Sequence, residues 1–150
     1  MDATSVIIEG HAELERAFAA FDEAEGSHHR QIRALRSIAG GLAVHSTVEQ
    51  EVLHPAVREL TGRYDWRIER ELEQSHLLEL LLVELGGMVP ADRGFEAKVR
   101  MLGELFRQHA RDQEMEVLPE LRRRLELEDR VRLGKELLER IQELQGVPAR

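Results

Sequence analysis

Apolar residues return along this chain at spacings of three and four, and in five runs they line up on one side of an α-helix. Ile7, Ile8, Leu14 and Phe18 define the first, expected from about Ser5 to Ala24 with Thr4 or Ser5 as N-cap and Gly26 beyond its end. Leu35, Ile38, Leu42, Val52 and Leu53 define a second from about Ser27 to His54, where Pro55 is expected to interrupt it. The polar stretch Thr61-Gly62-Arg63-Tyr64-Asp65 supplies turn and cap chemistry before a third helix from Trp66 to Leu85, closed by Gly86-Gly87. Trp66 and Tyr64 are expected to pack at a bundle end. Asp92 is a cap candidate for a fourth helix from about Gly94 to Leu118, whose inner face is Phe95, Val99, Leu102 and Phe106, with Pro119 stopping or bending it. A fifth helix, about 127–144, carries Val131, Leu137, Leu138, Ile141 and Leu144, although Gly134 weakens its early part. Four long amphipathic helices with short links predict an all-α fold, an antiparallel up-down four-helix bundle with an additional C-terminal helix.

Composition supports a single packed domain over residues 1–150. Hydrophobic residues make up 42% and charged residues 33%, which is globular rather than disordered. The formal charge of −8 argues against nucleic acid, and the basic run Arg122-Arg123-Arg124 is followed at once by acids. With no cysteine, disulfides, thiolate nucleophiles and zinc-thiolate sites are excluded. The apolar segment Leu77 to Leu85 is broken by Glu79 and Glu84, so no membrane span is expected and the chain reads as cytoplasmic.

Four histidines change this picture. At ~100° per residue, His11, His45, His76 and His109 each fall within the apolar stripe of a different long helix, at roughly matching heights. Inward imidazoles at one level make a ligand set for a transition metal. Glu49, one turn after His45, shares its face. The cluster Asp112, Gln113, Glu114 and Glu116 follows His109. Nitrogen and oxygen donors without sulfur suit iron or manganese, with zinc also compatible on ligand type. His28 and His29 are read as surface residues. His54, ~180° around the helix from His45, is read as outside the ligand set.

These residues carry a family resemblance. His45-Ser-Thr-Val-Glu49-Gln-Glu-Val-Leu-His-Pro55 resembles the second-helix motif of the hemerythrin family, in particular the bacterial HHE cation-binding domains, and His109 to Pro119 repeats its His-to-Pro spacing. The resemblance spans about residues 5–120. It implies two non-haem iron ions, carboxylate- and oxo-bridged. It implies as metal ligands His11, His45, Glu49, His76, His109 and the fourth-helix carboxylate. Glu114 is taken for that role on condition of a local π-type widening, with Asp112 as its substitute in a regular helix. An earlier third-helix histidine of oxygen carriers is Leu72 here, and Glu73 or Glu69 are the candidates to replace it. The resemblance implies binding or sensing of a small ligand such as dioxygen or nitric oxide. A di-iron enzyme acting on peroxide or dioxygen and a metal-free structural bundle are the other readings.

Overall fold

A computed structural model describes residues 1–62 and 64–146; Arg63, part of the polar turn, lies outside the described residues. The chain forms α1 (Ala3–Glu23), α2 (His28–Val48), α3 (His54–Thr61), α4 (Trp66–Gly86), α5 (Phe95–Asp112), α6 (Leu118–Arg124) and α7 (Leu127–Leu144). Two π-helical turns, Glu49–Leu53 and Gln113–Val117, splice α2 to α3 and α5 to α6. The result is an antiparallel four-helix bundle of α1, α2–α3, α4 and α5–α6, with α7 packed against α1 and α2.

The prolines explain the splices. Pro55 does not end the second helix, contrary to the sequence expectation, and the helix runs on to Thr61. A proline lacks an N–H, and its ring collides with the carbonyl four residues back in a regular α-helix. Here the preceding turn is widened, so that the His54 N–H bonds to Glu49 O, five residues back. Pro119 has the same setting, with the Leu118 N–H on Gln113 O.

The caps also differ from expectation. Asp2, not Thr4 or Ser5, starts α1: its carboxylate accepts from the Ser5 N–H at 3.0 Å. Ser27 caps α2, its hydroxyl accepting from the Arg30 N–H. The residue before α5 is Gly94, at φ 89°, a left-handed conformation glycine adopts without Cβ strain. Asp92 instead accepts from the Val89 N–H and shapes the preceding turn. Trp66 and Tyr64 remain largely exposed, Trp66 stacking under the Arg70 guanidinium at 4.6 Å.

The core divides into two apolar clusters. Phe18, Phe21, Ile38, Leu85, Phe95 and Phe106 belong to the first. Ala3, Ile7, Leu53, Ile68, Leu118 and Leu137 belong to the second, which α7 closes. Gly134 is where α7 meets the start of α1. A Cβ there would lie 2.5 Å from Met1 O and 2.8 Å from the Asp2 carbonyl carbon, so the two backbones can touch only at glycine. The Arg130–Asp2 pair (3.2 Å) ties the same two elements.

Asp65 pins the link between α3 and α4 at the same end of the bundle. Its carboxylate accepts from the Arg67 N–H and guanidinium at 2.7 to 3.0 Å, and Arg67 continues to Glu116 O and Glu120. The hydrogen bonds from the Arg67 side chain, opposed by burial and aided by the Arg67 N–H, lower the Asp65 pKa to about 2.

Two outcomes follow from these contacts. Gly134→Ala is expected to destabilise by about 1–3 kcal/mol despite alanine's better helix propensity, because fixed backbone stands where the methyl must go. Gly40→Ala, with nothing within 4 Å of its Cβ, should instead raise the melting temperature slightly. Thermal melts of the pair, moving in opposite directions, check this. For Asp65 the folded pKa lies below the unfolded value, so its stabilisation is complete above about pH 4 and vanishes as pH falls through about 2. Asp65→Asn should cost about 2 kcal/mol at neutral pH and progressively less in acid, as read from urea melts across that range.

Candidate metal centre

Between the two apolar clusters lies a polar layer. His11 comes from α1, His45 from α2, Glu49 from the first π turn, His54 from α3, Glu71 from α4, His109 from α5 and Gln113 from the second π turn. All but His45 are buried, and His45 keeps only 10% of its side-chain surface. The His11, His45 and His109 rings sit 5.0, 5.7 and 6.4 Å apart, centre to centre.

Two donor groups share one carboxylate. The first is His11, His45 and Glu49; the second is Glu49, His54 and Glu71, and within each group one ligand atom per residue lies within 4.8 Å of the others. His54 Nε2 stands 2.6 Å from Glu71 Oε2, and His109 Nε2 stands 3.2 Å from Glu49 Oε1. His45 Nε2 approaches Glu49 Oε1 closely without forming an aligned hydrogen bond. His45 Nε2, Glu49 Oε2, His54 Nδ1 and Glu71 Oε1 are buried with no hydrogen-bond partner. Buried polar atoms are normally satisfied, and four orphans converging on one layer are the mark of donors aimed at a cation.

The electrostatics agree. Burial, reinforced by the neighbouring His45, pushes the His11 pKa down to about 3, so its imidazole is neutral, the form that ligates a metal. Both His11 nitrogens nevertheless face oxygen atoms, Gln113 Oε1 at 2.8 Å and Glu114 Oε2 at 3.1 Å. A neutral ring has one proton for these two acceptors, so one ring nitrogen turns a lone pair toward an oxygen atom. Burial alone would raise the Glu49 pKa, but His45 and His109 hold it well below the usual carboxylate range. Burial opposes protonation of His109, and the Glu49 charge and hydrogen bond overcome it, raising the His109 pKa. His109 is also braced from behind. With its proton on Nδ1 it donates to Gln74 Oε1 (3.0 Å), Gln74 donates to Asp112 (2.6 Å), and Arg70 Nε lies 3.5 Å from Asp112. A hydrogen bond on the far nitrogen is the usual way a ligating imidazole is oriented.

The structure brings together His11, His45, Glu49 and His109 from the sequence-derived set and puts Glu114 at their edge, half exposed and touching His11. It does not bring in His76 or Glu73. Both face solvent, because the buried line of α4 is Ile68, Glu71, Leu78 and Leu85, and His76 lies ~140° around the helix from Glu71. The stripe that seemed to hold His76 is largely a surface stripe, with Leu80 49% and Val83 70% exposed. Glu69 is likewise outside, 3.7 Å from Arg58. Asp112 serves the Gln74 chain rather than the donor layer.

His54 and Glu71 were missed by sequence reasoning. A π turn acts as one inserted residue and turns the following helix back by ~100°, which moves His54 from ~180° to ~80° from His45, inside the bundle. The available signal was the proline ten residues after each motif histidine. For Glu71 it was the seven-residue spacing Glu71, Leu78, Leu85.

A cleft of about 320 Å³ between α2 and α4 reaches this layer, with Ser46, Gln50, Ser75 and Leu78 on its walls and His45 and His109 in its lining. A second, of about 230 Å³ between α1, α2 and α7, touches His45 from the other side.

A bundle with a His and carboxylate layer drawn from all four of its helices defines a class of metal-binding helical proteins. The family profile of the hemerythrin HHE cation binding domain matches residues 2–121, and the chain belongs to that family. A hemerythrin HHE cation binding domain-containing protein from Mycobacterium kansasii has a similar fold, with a TM-score of 0.85 over 97% of this chain and 88% of that one, at 17% identity. No curated protein sequence matches the chain.

Substitution separates the ligand candidates. His54→Ala and Glu71→Ala should each lower the metal retained after dialysis by half or more, whereas His76→Ala and Glu73→Ala should leave it unchanged. Metal analysis of the four variants beside the wild type decides which residues hold the ion.

Proposed function

We propose that the chain acts as one domain, in the cytoplasm, that holds two non-haem iron ions and binds or senses a small ligand such as dioxygen or nitric oxide. The observation that carries this reading is the pair of donor groups joined through Glu49. One carboxylate has two oxygens, so it can serve two cations at once. His11 and His45 would complete the first seat, and His54 and Glu71 the second, with His109 beside both. The donors are imidazole nitrogens and carboxylate oxygens without sulfur, a set that suits iron and manganese. When bound, such a pair of ions supplies reversible redox chemistry and open positions for a small ligand.

The protein's own residues do the rest. The two apolar clusters keep bulk water from the layer, the Gln74–Asp112–Arg70 chain holds His109, and the α2–α4 cleft gives a small molecule a route past His45. Peroxide turnover by the same centre is the second reading, and the cleft favours it to the extent that a polar molecule can pass Ser46, Gln50 and Ser75.

Protein from iron-replete cells is expected to carry about two irons per chain, with ferric absorption in the near ultraviolet. Metal binding is linked to folding, so the iron-loaded protein should melt well above a chelator-treated sample that remains helical by circular dichroism. Zinc alone, no stoichiometric metal, or coincident melts would count against the reading. Peroxide turnover abolished by His45→Ala would move it to the enzyme class.

A further inference from the structure

Two stretches of the chain repeat one another around the centre. His45 and His109 are each followed four residues later by a fully buried polar side chain, Glu49 or Gln113, each of which opens a π turn, and ten residues later by a proline. Besides differences such as Leu118 in place of His54 and Asp112 in place of Val48, the copies differ in one acid–amide pair: Glu49-Gln50 in the first, Gln113-Glu114 in the second. Acid and amide have exchanged places. The inner position of the second copy is therefore neutral, and its acid, Glu114, sits at the rim with 37% of its side chain exposed.

Gln113 is not a bystander in that place. Its Nε2 donates to Glu49 Oε1 at 2.8 Å and lies 3.2 Å from Glu71 Oε2, while its Oε1 faces His11 Nε2 at 2.8 Å. The amide orientation follows from chemistry, since two carboxylates require donors. A glutamate here would put a third carboxylate against the two already buried, whereas the amide binds them together.

We propose that Gln113 is a specificity-determining residue that limits the negative charge of the centre and so makes it select small anionic ligands. This rests on the two-cation reading above. Two divalent ions bring four positive charges, and the buried donors Glu49 and Glu71 return two negative ones. The imbalance of +2 lies in a layer buried between two apolar clusters, where uncompensated charge is costly, and Glu114 at the rim offsets it only in part. A small anion arriving through the α2–α4 cleft completes the neutralisation. A glutamate at position 113 would supply that charge from the protein and remove the vacancy in the charge balance.

The test uses metal-loaded protein and sodium azide as the probe, titrated by absorption, with metal content measured on every sample. Gln113→Glu is expected to keep two metals, to lose them to chelator at least tenfold more slowly, and to bind azide at least tenfold more weakly than wild type. Gln113→Met, neutral and of similar length but without the amide's hydrogen bonds, should weaken azide binding by less than tenfold. Equal azide affinity in wild type and Q113E, with both metals present, overturns the proposal. A tenfold loss in Q113M overturns it too, even should Q113E fail to fold, because packing or hydrogen bonding rather than charge would then be responsible. A wild-type protein without stoichiometric metal fails the two-cation reading itself, before any variant is compared.

Discussion

Glu49 and Glu71 are carboxylates almost completely removed from water, and the bundle is organised around the cost of putting them there. An isolated ionised carboxylate in such a place is untenable. Each is held by imidazole nitrogen and by the Gln113 amide, and each keeps one oxygen with no partner. Protein groups thus neutralise the layer partway and stop. A core evolved only for stability gains nothing by stopping there, since well-packed apolar side chains would fill the same volume without orphaned atoms. The unfinished balance gives the layer its affinity for a cation.

Reaching that arrangement required bending the rules of the α-helix twice. A regular helix through Pro55 would lose a hydrogen bond and place His54 on the outer face. The π turn answers both problems with one widened loop of backbone. The residue before the proline finds its acceptor five positions back, and everything after it turns inward. The same device precedes Pro119, and the residues after it, Leu118 and Leu121, are fully buried. Backbone chemistry before Pro55 therefore decides whether His54 can meet a metal.

Legibility from sequence followed the regularity of the backbone. The helix positions, the C-terminal helix and the inward faces of His11, His45, Glu49 and His109 obey the 3.6-residue period and are legible in the sequence, whereas Ile8 and Val131 of the expected stripes stand exposed. The expectation that a fourth-helix carboxylate needs a π-type widening located the second irregularity, yet the fully buried side chain there is Gln113 rather than Glu114. His54 could not be placed by counting ~100° per residue, because the count fails across Glu49–Leu53. In α4 the difficulty was different. His76-Leu-Leu-Glu-Leu-Leu-Leu-Val offers an apolar residue on nearly every face, so periodicity alone does not choose between the stripe that contains His76 and the one that contains Glu71. Packing chose, burying Ile68, Leu78 and Leu85 and with them Glu71.

The helix that supplies the most donors also controls the way in. His45, Glu49 and His54 all belong to the continuous α2–α3 rod, and both clefts that reach the centre run along α2 and touch His45. Close to the site this rod packs tightly against α1. Gly40 and Gly41 lie within about a turn of His45, and Gly41 leaves the space into which Leu14 packs, where a Cβ would come 2.8 Å from Leu14 Cδ2. The two apolar clusters lie above and below the donor layer and hold the four helices on both sides of it, so the layer need not hold the fold together by itself. Coordination and access are thereby placed on one element, anchored at both ends. Any displacement of His45 changes the donor set and the cleft lining together, and a ligand entering beside His45 acts on the helix that holds most of the centre.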